Sequence, residues 1–240
     1  TATNKAGKDV RDLKIIVGKQ IALTPAMGWN SWNCWGLSVN DAKVRAAADA
    51  MKKSGLINHG WTYINIDDGW EKPTRAANGE IVANEKFPDM KKMTDYVHGL
   101  GLKVGIYSSP GTKTCGGYLG SYQHEDQDAA TYAKWGIDYL KYDWCSYSQI
   151  YPHPTIDEMQ KPYKIMRASL NKTNRDILFS LCQYGMGDVW KWGGEIGGNS
   201  WRTTGDINDS WRSMSQIGFY QQEAAPYSKP GNWNDPDMLV

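Results

Sequence analysis

Asp143 and Asp206 are the residues from which chemistry can be read first. Asp143 closes the run Tyr139-Leu140-Lys141-Tyr142-Asp143, aromatic and apolar enough to be a strand, with Lys141 two positions before it. Side chains two apart on a strand share a face, so Lys141 and Asp143 point the same way. An ammonium there would hold the carboxylate ionised, as a nucleophile requires, and could also donate to a substrate hydroxyl. The plainer alternative is a structural ion pair. Asp206 follows Arg202 by four residues in Trp201-Arg202-Thr203-Thr204-Gly205-Asp206-Ile207, where Gly205 permits an irregular turn. It could aim its carboxylate inward, or merely cap a following helix. Two opposed carboxylates are what cleavage of a glycosidic bond needs. One attacks the anomeric carbon, and the other protonates the leaving oxygen and later deprotonates water.

These carboxylates need a scaffold that brings distant segments to one rim. Short apolar runs ending in polar or acidic residues recur at 27–32, 63–68, 104–108, 139–143, 177–182, 201–206 and 233–238. Helical patterns separate them: 41–54 with Gly55 as its stop, the stripe Met90, Met93, Val97 and Leu100 ended by Gly99 and Gly101, and 155–171. The alternation predicts a parallel α/β sheet, here a (β/α)8 TIM barrel that stops before its eighth strand, with an open doubly wound sheet as the alternative. The expectation is therefore that residues 23–240 are an incomplete barrel from a longer protein, one that folds poorly by itself. Residues 1–22 differ. Thr1 to Gly7 and then Leu13 to Val17 read as two strands around a turn, the tail of an upstream immunoglobulin-like module or a linker. In a barrel of this type the active site lies at the C-terminal strand ends, which draws attention to Asp67, Asp68, Asp143, Asp206, Asp235 and Asp237.

Composition narrows the ligand. Lys and Arg total 27 against 26 for Asp and Glu, a net charge of +1, so no field draws nucleic acid or an anionic membrane. Twelve Trp and 14 Tyr against 3 Phe supply flat rings with a hydrogen-bonding edge, suited to a pyranose, although tryptophans also serve as core. No apolar run approaches the roughly 20 residues of a membrane span. The histidines His59, His98, His124 and His153 lack ligand spacing, so no metal or other cofactor is expected. Cys34, Cys115, Cys145 and Cys182 form no CxxC pair and are too few for a disulfide scaffold, although one bridge is possible. Lys141 could in principle form a Schiff base, as an aldolase lysine does.

Four motifs then carry a resemblance over residues 23–240: Met27-Gly28-Trp29-Asn30-Ser31-Trp32, Ile66-Asp67-Asp68-Gly69-Trp70, Leu140-Lys141-Tyr142-Asp143-Trp144-Cys145 and Trp233-Asn234-Asp235-Pro236-Asp237-Met238-Leu239. In this order they resemble glycoside hydrolase family 27, the α-galactosidases and α-N-acetylgalactosaminidases. The resemblance implies a retaining double displacement on a galactoside, with Asp143 as nucleophile and Asp206 as acid/base. It implies Trp32 as a platform, Asp67 and Asp68 on sugar hydroxyls, and Tyr107, Lys141, Arg202, Asp237 and Met238 around the ring. A disulfide between Cys115 and Cys145 beside the site, and with it a periplasmic or secreted location, is implied as well. Cys34 and Cys182 are then expected to be unpaired and buried. Gln183 stands where many relatives carry Glu or Asn before a Trp, in the segment that faces the sugar's 2-substituent. Galactose leads, with N-acetylgalactosamine, β-L-arabinopyranosides or an inactive sugar-binding homologue as alternatives.

Overall fold

The computed structural model describes residues 2–10 and 20–238. Its centre is a seven-stranded sheet in strict sequence order, with every neighbouring pair parallel. Ahead of it, β1 (Ala2–Asn4) and β2 (Gly7–Asp9) form an antiparallel hairpin with Ala2 opposite Asp9. This turn is tighter than expected, and the predicted second strand at 13–17 lies outside the described residues.

The sheet strands are β3 (Met27–Asn30), β4 (Trp61–Asn65), β5 (Lys103–Ser108), β6 (Tyr139–Asp143), β7 (Leu178–Cys182), β8 (Ser200–Arg202) and β9 (Trp233–Asp235). They curl into a partly closed (β/α) barrel. The edge strands β3 and β9 are laced together at their N-terminal ends, where Ala22 accepts bonds from Trp233 Nε1 and the Gly231 amide, both at 2.8 Å. Close strand approach needs glycine at one point: a Cβ on Gly28 would stand 1.9 Å from the Tyr63 carbonyl oxygen.

The main helices follow from local sequence. Asp41–Lys53 (α2, after the short Trp32–Trp35 turn α1) starts at Asn40, whose side chain accepts from the Lys43 amide at 2.9 Å. Asp41 in its first turn and Lys52 and Lys53 in its last complement the helix dipole. Met90–Gly99 (α3) buries Met90, Met93 and Val97, as the stripe predicts. Ile156–Asn171 (α5) begins in a capping box, with Thr155 and Glu158 satisfying each other's backbone amides. Two helices carry no sequence expectation above: Glu125–Trp135 (α4) and Trp211–Phe219 (α6).

The core lies between sheet and helices. On β6, Leu140 and Tyr142 are fully buried on the helix side, where Tyr142 packs edge-on against Tyr163 of α5, so Lys141 and Asp143 are left to the barrel interior. Much of the tryptophan count is core, since Trp70, Trp144, Trp192 and Trp201 are buried. The composition reading that tied the tryptophans to a sugar therefore holds for few of them.

Candidate active site

The strand ends gather the expected residues into one cleft of about 100 Å³. Trp32, Asp67, Asp68, Tyr107, Cys115, Lys141, Asp143, Arg202, Asp206, Asp237 and Met238 all line it. Trp32 is the only tryptophan among the described residues to do so, standing 38% exposed at the mouth. A second, larger cavity of about 450 Å³ runs between β3 and β9 and is the open barrel interior, reaching Asn30, Lys141, Ser180 and Asp235. It is the wider space, but the carboxylates converge in the smaller one.

Asp143 ends β6 and is 6% exposed. Its Oδ2 accepts from the Tyr107 hydroxyl at 3.1 Å, and its Oδ1 accepts from the Tyr184 hydroxyl. Burial pushes its carboxyl above the usual range, while the charge of Lys141 and the two tyrosine bonds pull against that rise. The expected contact from Lys141 takes another form. The ammonium is bonded to Asp67 Oδ2 at 2.9 Å and reaches Asp143 only through space. Burial opposes the Lys141 charge, but Asp67, Cys182 and Asp143 outweigh it and raise the amine well above its ordinary value. An amine held charged in this way is a poor Schiff-base former, which argues against the aldolase alternative.

Asp67 and Asp68 lie beyond β4 rather than at its end as predicted, because pairing stops at Asn65. Both are almost fully buried. Asp67 Oδ2 also accepts from Asn30 Nδ2 at 2.9 Å, and its amide donates to Ser31 Oγ at 2.9 Å. Asp68 Oδ2 accepts from the Gly116 amide at 2.6 Å, whereas its Oδ1 is buried without a partner. Burial raises the Asp68 carboxyl and the Gly116 bond opposes it.

Asp206 likewise does not end a strand. It sits four residues past β8, its side chain 81% exposed, and bonded to Arg202 Nη2 at 3.0 Å. It caps no helix, since Ser210 caps α6. Arg202 also grips Asp237 Oδ1 at 3.0 Å and so ties the two acidic loops together. Asp237 adopts a left-handed φ of 93°, held by its amide on Asp235 Oδ1 and by Ile207 N donating to its Oδ2 at 2.8 Å.

Gln183 is a correction. It is fully buried and its amide is spent on its own turn, Nε2 donating to the Met186 carbonyl at 3.1 Å and Oε1 accepting from the Gly185 amide at 2.9 Å. The next residue, Tyr184, faces the cleft instead, and the sequence reading missed it. Cys145 does not line the cleft either, although its sulfur lies 3.2 Å from the Tyr107 hydroxyl. Of the two free cysteines, Cys182 is buried as expected but Cys34 is exposed. Cys115, Asp143 and Cys145 stand together like metal ligands, yet the sulfurs are bonded to each other and offer no thiolate.

The Cys115–Cys145 disulfide closes a separation of 30 residues, for which loop entropy predicts about 3–4 kcal/mol of stabilisation. Replacing both cysteines with serine should lower Tm by roughly 6–16 °C in a thermal melt without reductant. A drop of less than roughly 2 °C would show that the link constrains little of the unfolded chain.

Comparison with known proteins agrees with this arrangement. The family model described as alpha galactosidase A matches residues 24–240. Alpha-galactosidase 2 of Arabidopsis thaliana is 47% identical over 229 residues, covering 94% of this chain and 56% of that protein. The crystal structure of alpha-galactosidase I from Mortierella vinacea superposes with a TM-score of 0.87 at 40% identity, over 91% of this chain and 60% of that one. The Saccharomyces cerevisiae alpha-galactosidase solved with raffinose gives 0.82 at 33% identity, over 90% and 52%. The chain thus spans about half the length of the relatives it matches. With its barrel strands in order and the acidic rim at their C-terminal ends, the chain belongs to the alpha-galactosidase A family, glycoside hydrolase family 27.

Proposed function

We propose that the protein removes terminal α-D-galactosyl residues by a retaining double displacement. The observation that carries this reading is the contrast between two carboxylates on one cleft: Asp143 sequestered between two tyrosines, Asp206 open to solvent. A nucleophile needs a fixed, desolvated position, and an acid/base must reach the leaving group in the first step and the attacking water in the second. In the first step an Asp143 oxygen bonds to the anomeric carbon as the glycosidic bond breaks, and the leaving oxygen takes its proton from Asp206. In the second, Asp206 takes a proton from water, which attacks the same carbon and frees Asp143.

Recognition rests on groups that are incomplete without a ligand. Asp68 Oδ1 is a buried acceptor with no donor, a deficit of about 1–3 kcal/mol that a sugar hydroxyl would relieve. Lys141 and Asp67 offer a donor and an acceptor beside it, and Trp32 a flat face. With Gln183 withdrawn, the segment that the family places beside the 2-substituent presents the Tyr184 ring. That bulk favours a 2-hydroxyl over an acetamido group.

Residues 24–240, the span of the family match, support assigning 23–240 to the catalytic barrel. The disulfide supports a periplasmic or secreted location. Among the described residues no helix is long and apolar enough to cross a membrane.

The full-length protein should cleave p-nitrophenyl α-D-galactoside. It should turn over the α-N-acetylgalactosaminide at least about 100-fold less well in kcat/KM, and the β-L-arabinopyranoside, which lacks the exocyclic CH2OH, roughly 10- to 200-fold less well. A preference for the N-acetylated substrate would overturn the galactose assignment. Galactose binding without turnover of any of the three would favour a sugar-binding homologue.

A further inference from the structure

Tyr184 owes its position to an unusual turn. Its φ is 64°, a left-handed conformation that tyrosine rarely adopts, and Gly185 follows at 83°. Only glycine fits at 185, where a Cβ would stand 2.3 Å from the Thr203 carbonyl oxygen of the segment after β8. Gln183 clamps the same turn from inside through both ends of its amide. Strain held by this many contacts marks a position that the surroundings enforce. The outcome is a tyrosine ring on the cleft wall, with the Arg202 guanidinium 6.0 Å from its centroid and its hydroxyl on Asp143.

We propose that Tyr184 is a positioning residue for Asp143, its hydroxyl holding Oδ1 as that of Tyr107 holds Oδ2, so that the carboxylate stands in a two-tyrosine fork. This rests on the reading of Asp143 as the reactive carboxylate. A carboxylate free to rotate about its Cβ–Cγ bond presents its lone pair to the anomeric carbon only part of the time, and a donor on each oxygen fixes the plane. When one oxygen attacks, its own donor must release it. The other oxygen becomes the ester carbonyl and keeps its hydroxyl partner through the intermediate.

The fork also favours the ionised form, against the burial that opposes it. The other titratable or charged groups around Asp143 are Lys141, Asp67, Asp68, Tyr107, Tyr163, Cys182, Arg202, Asp206 and Asp237. Tyr184→Phe leaves all of them in place and keeps the ring.

The test is a 13C-NMR titration of full-length protein labelled at the aspartate carboxyl carbon, with the Asp143 signal identified by its loss in Asp143→Asn, run beside the pH profile of kcat/KM. In Tyr184→Phe the Asp143 carboxyl should titrate about one pH unit higher. The acid limb of kcat/KM should move up with it, and kcat on the plateau should fall about 10-fold while KM changes little. An Asp143 titration unmoved by more than about 0.2 unit overturns the proposal whatever the activity. The titration is read without substrate. A shifted signal in a protein that cleaves no α-galactoside would keep the fork and discard the functional reading on its own.

Discussion

Asp143→Gly should abolish measurable turnover of p-nitrophenyl α-D-galactoside, with kcat down by at least about 10⁴-fold, roughly 5 kcal/mol of lost barrier reduction. The neighbouring carboxylates are held elsewhere: Asp67 Oδ2 on Lys141 and Asn30, and Asp68 Oδ2 on the Gly116 amide. The glycine leaves a space beside Tyr107 and Tyr184 that azide can enter. Azide should restore part of the rate and yield β-galactosyl azide, because it would attack from the face that the carboxylate occupied. Asp143→Asn separates chemistry from folding. Burial raises the folded-state carboxyl above its unfolded value, so above the ordinary aspartate range the unfolded chain binds fewer protons than the native one. Stability from this group is therefore present at low pH and lost as pH rises through the raised value. At neutral pH the neutral isostere should be at least as stable as wild type by thermal melt, yet equally inactive. Residual activity above about 1% of wild type, or α-galactosyl azide as product, would remove Asp143 from the nucleophile's role.

The parts of this site on regular strands were legible in the sequence for a simple reason. β6 spans 139–143 as predicted, because its side chains alternate between a helix-packed face and an interior face, and that period marks both its ends. Helix starts were legible where a capping residue precedes an acidic first turn, as at Asn40 and Thr155. The acidic first turn and the glycine stop could have found α4, with Glu125, Asp126 and Asp128 at its start and Gly136 at its end, although His124 before it makes no cap bond. The strands at 63–68 and 201–206 were drawn too long because polar residues that line a cleft continue the look of a strand after pairing has ended. Asp67, Asp68 and Asp206 are loop residues, held by Ser31, Gly116 and Arg202 rather than by a ladder.

Gln183 and Tyr184 mark where sequence reading runs out. Which of two neighbours faces the cleft depends on a turn whose shape is set by the Thr203 backbone, from another strand unit. No local pattern announces a left-handed tyrosine. The partner of Lys141 was hidden for a related reason: spacing predicts that Lys141 and Asp143 share a face, but the ammonium bonds to an oxygen of Asp67, brought to it from 74 residues away. Cys34 lies in Trp32–Trp35, a helix with no buried residue, and so departs from the usual burial of a lone thiol.

Asp206→Ala should split substrates by their leaving groups. Its side chain is 81% exposed, and Arg202 keeps Asp237 and the Thr204 carbonyl as partners, so the fold should be unaffected. For raffinose, whose leaving group is a sugar hydroxyl that must be protonated as it departs, kcat/KM should fall by about 10²- to 10⁴-fold. For p-nitrophenyl galactoside, whose phenolate leaves without that help, kcat/KM should fall far less. kcat and KM should drop together as the glycosyl-enzyme accumulates for want of a base to activate water. Azide needs no base, so it should restore turnover and give α-galactosyl azide, attacking the β-linked intermediate from the opposite face. An equal loss on both substrates, or no acceleration by azide, would remove Asp206 from the acid/base role. The azide's configuration is the sharper readout, since β from Asp143→Gly and α from Asp206→Ala cannot both arise unless the two carboxylates act on opposite faces of one anomeric carbon.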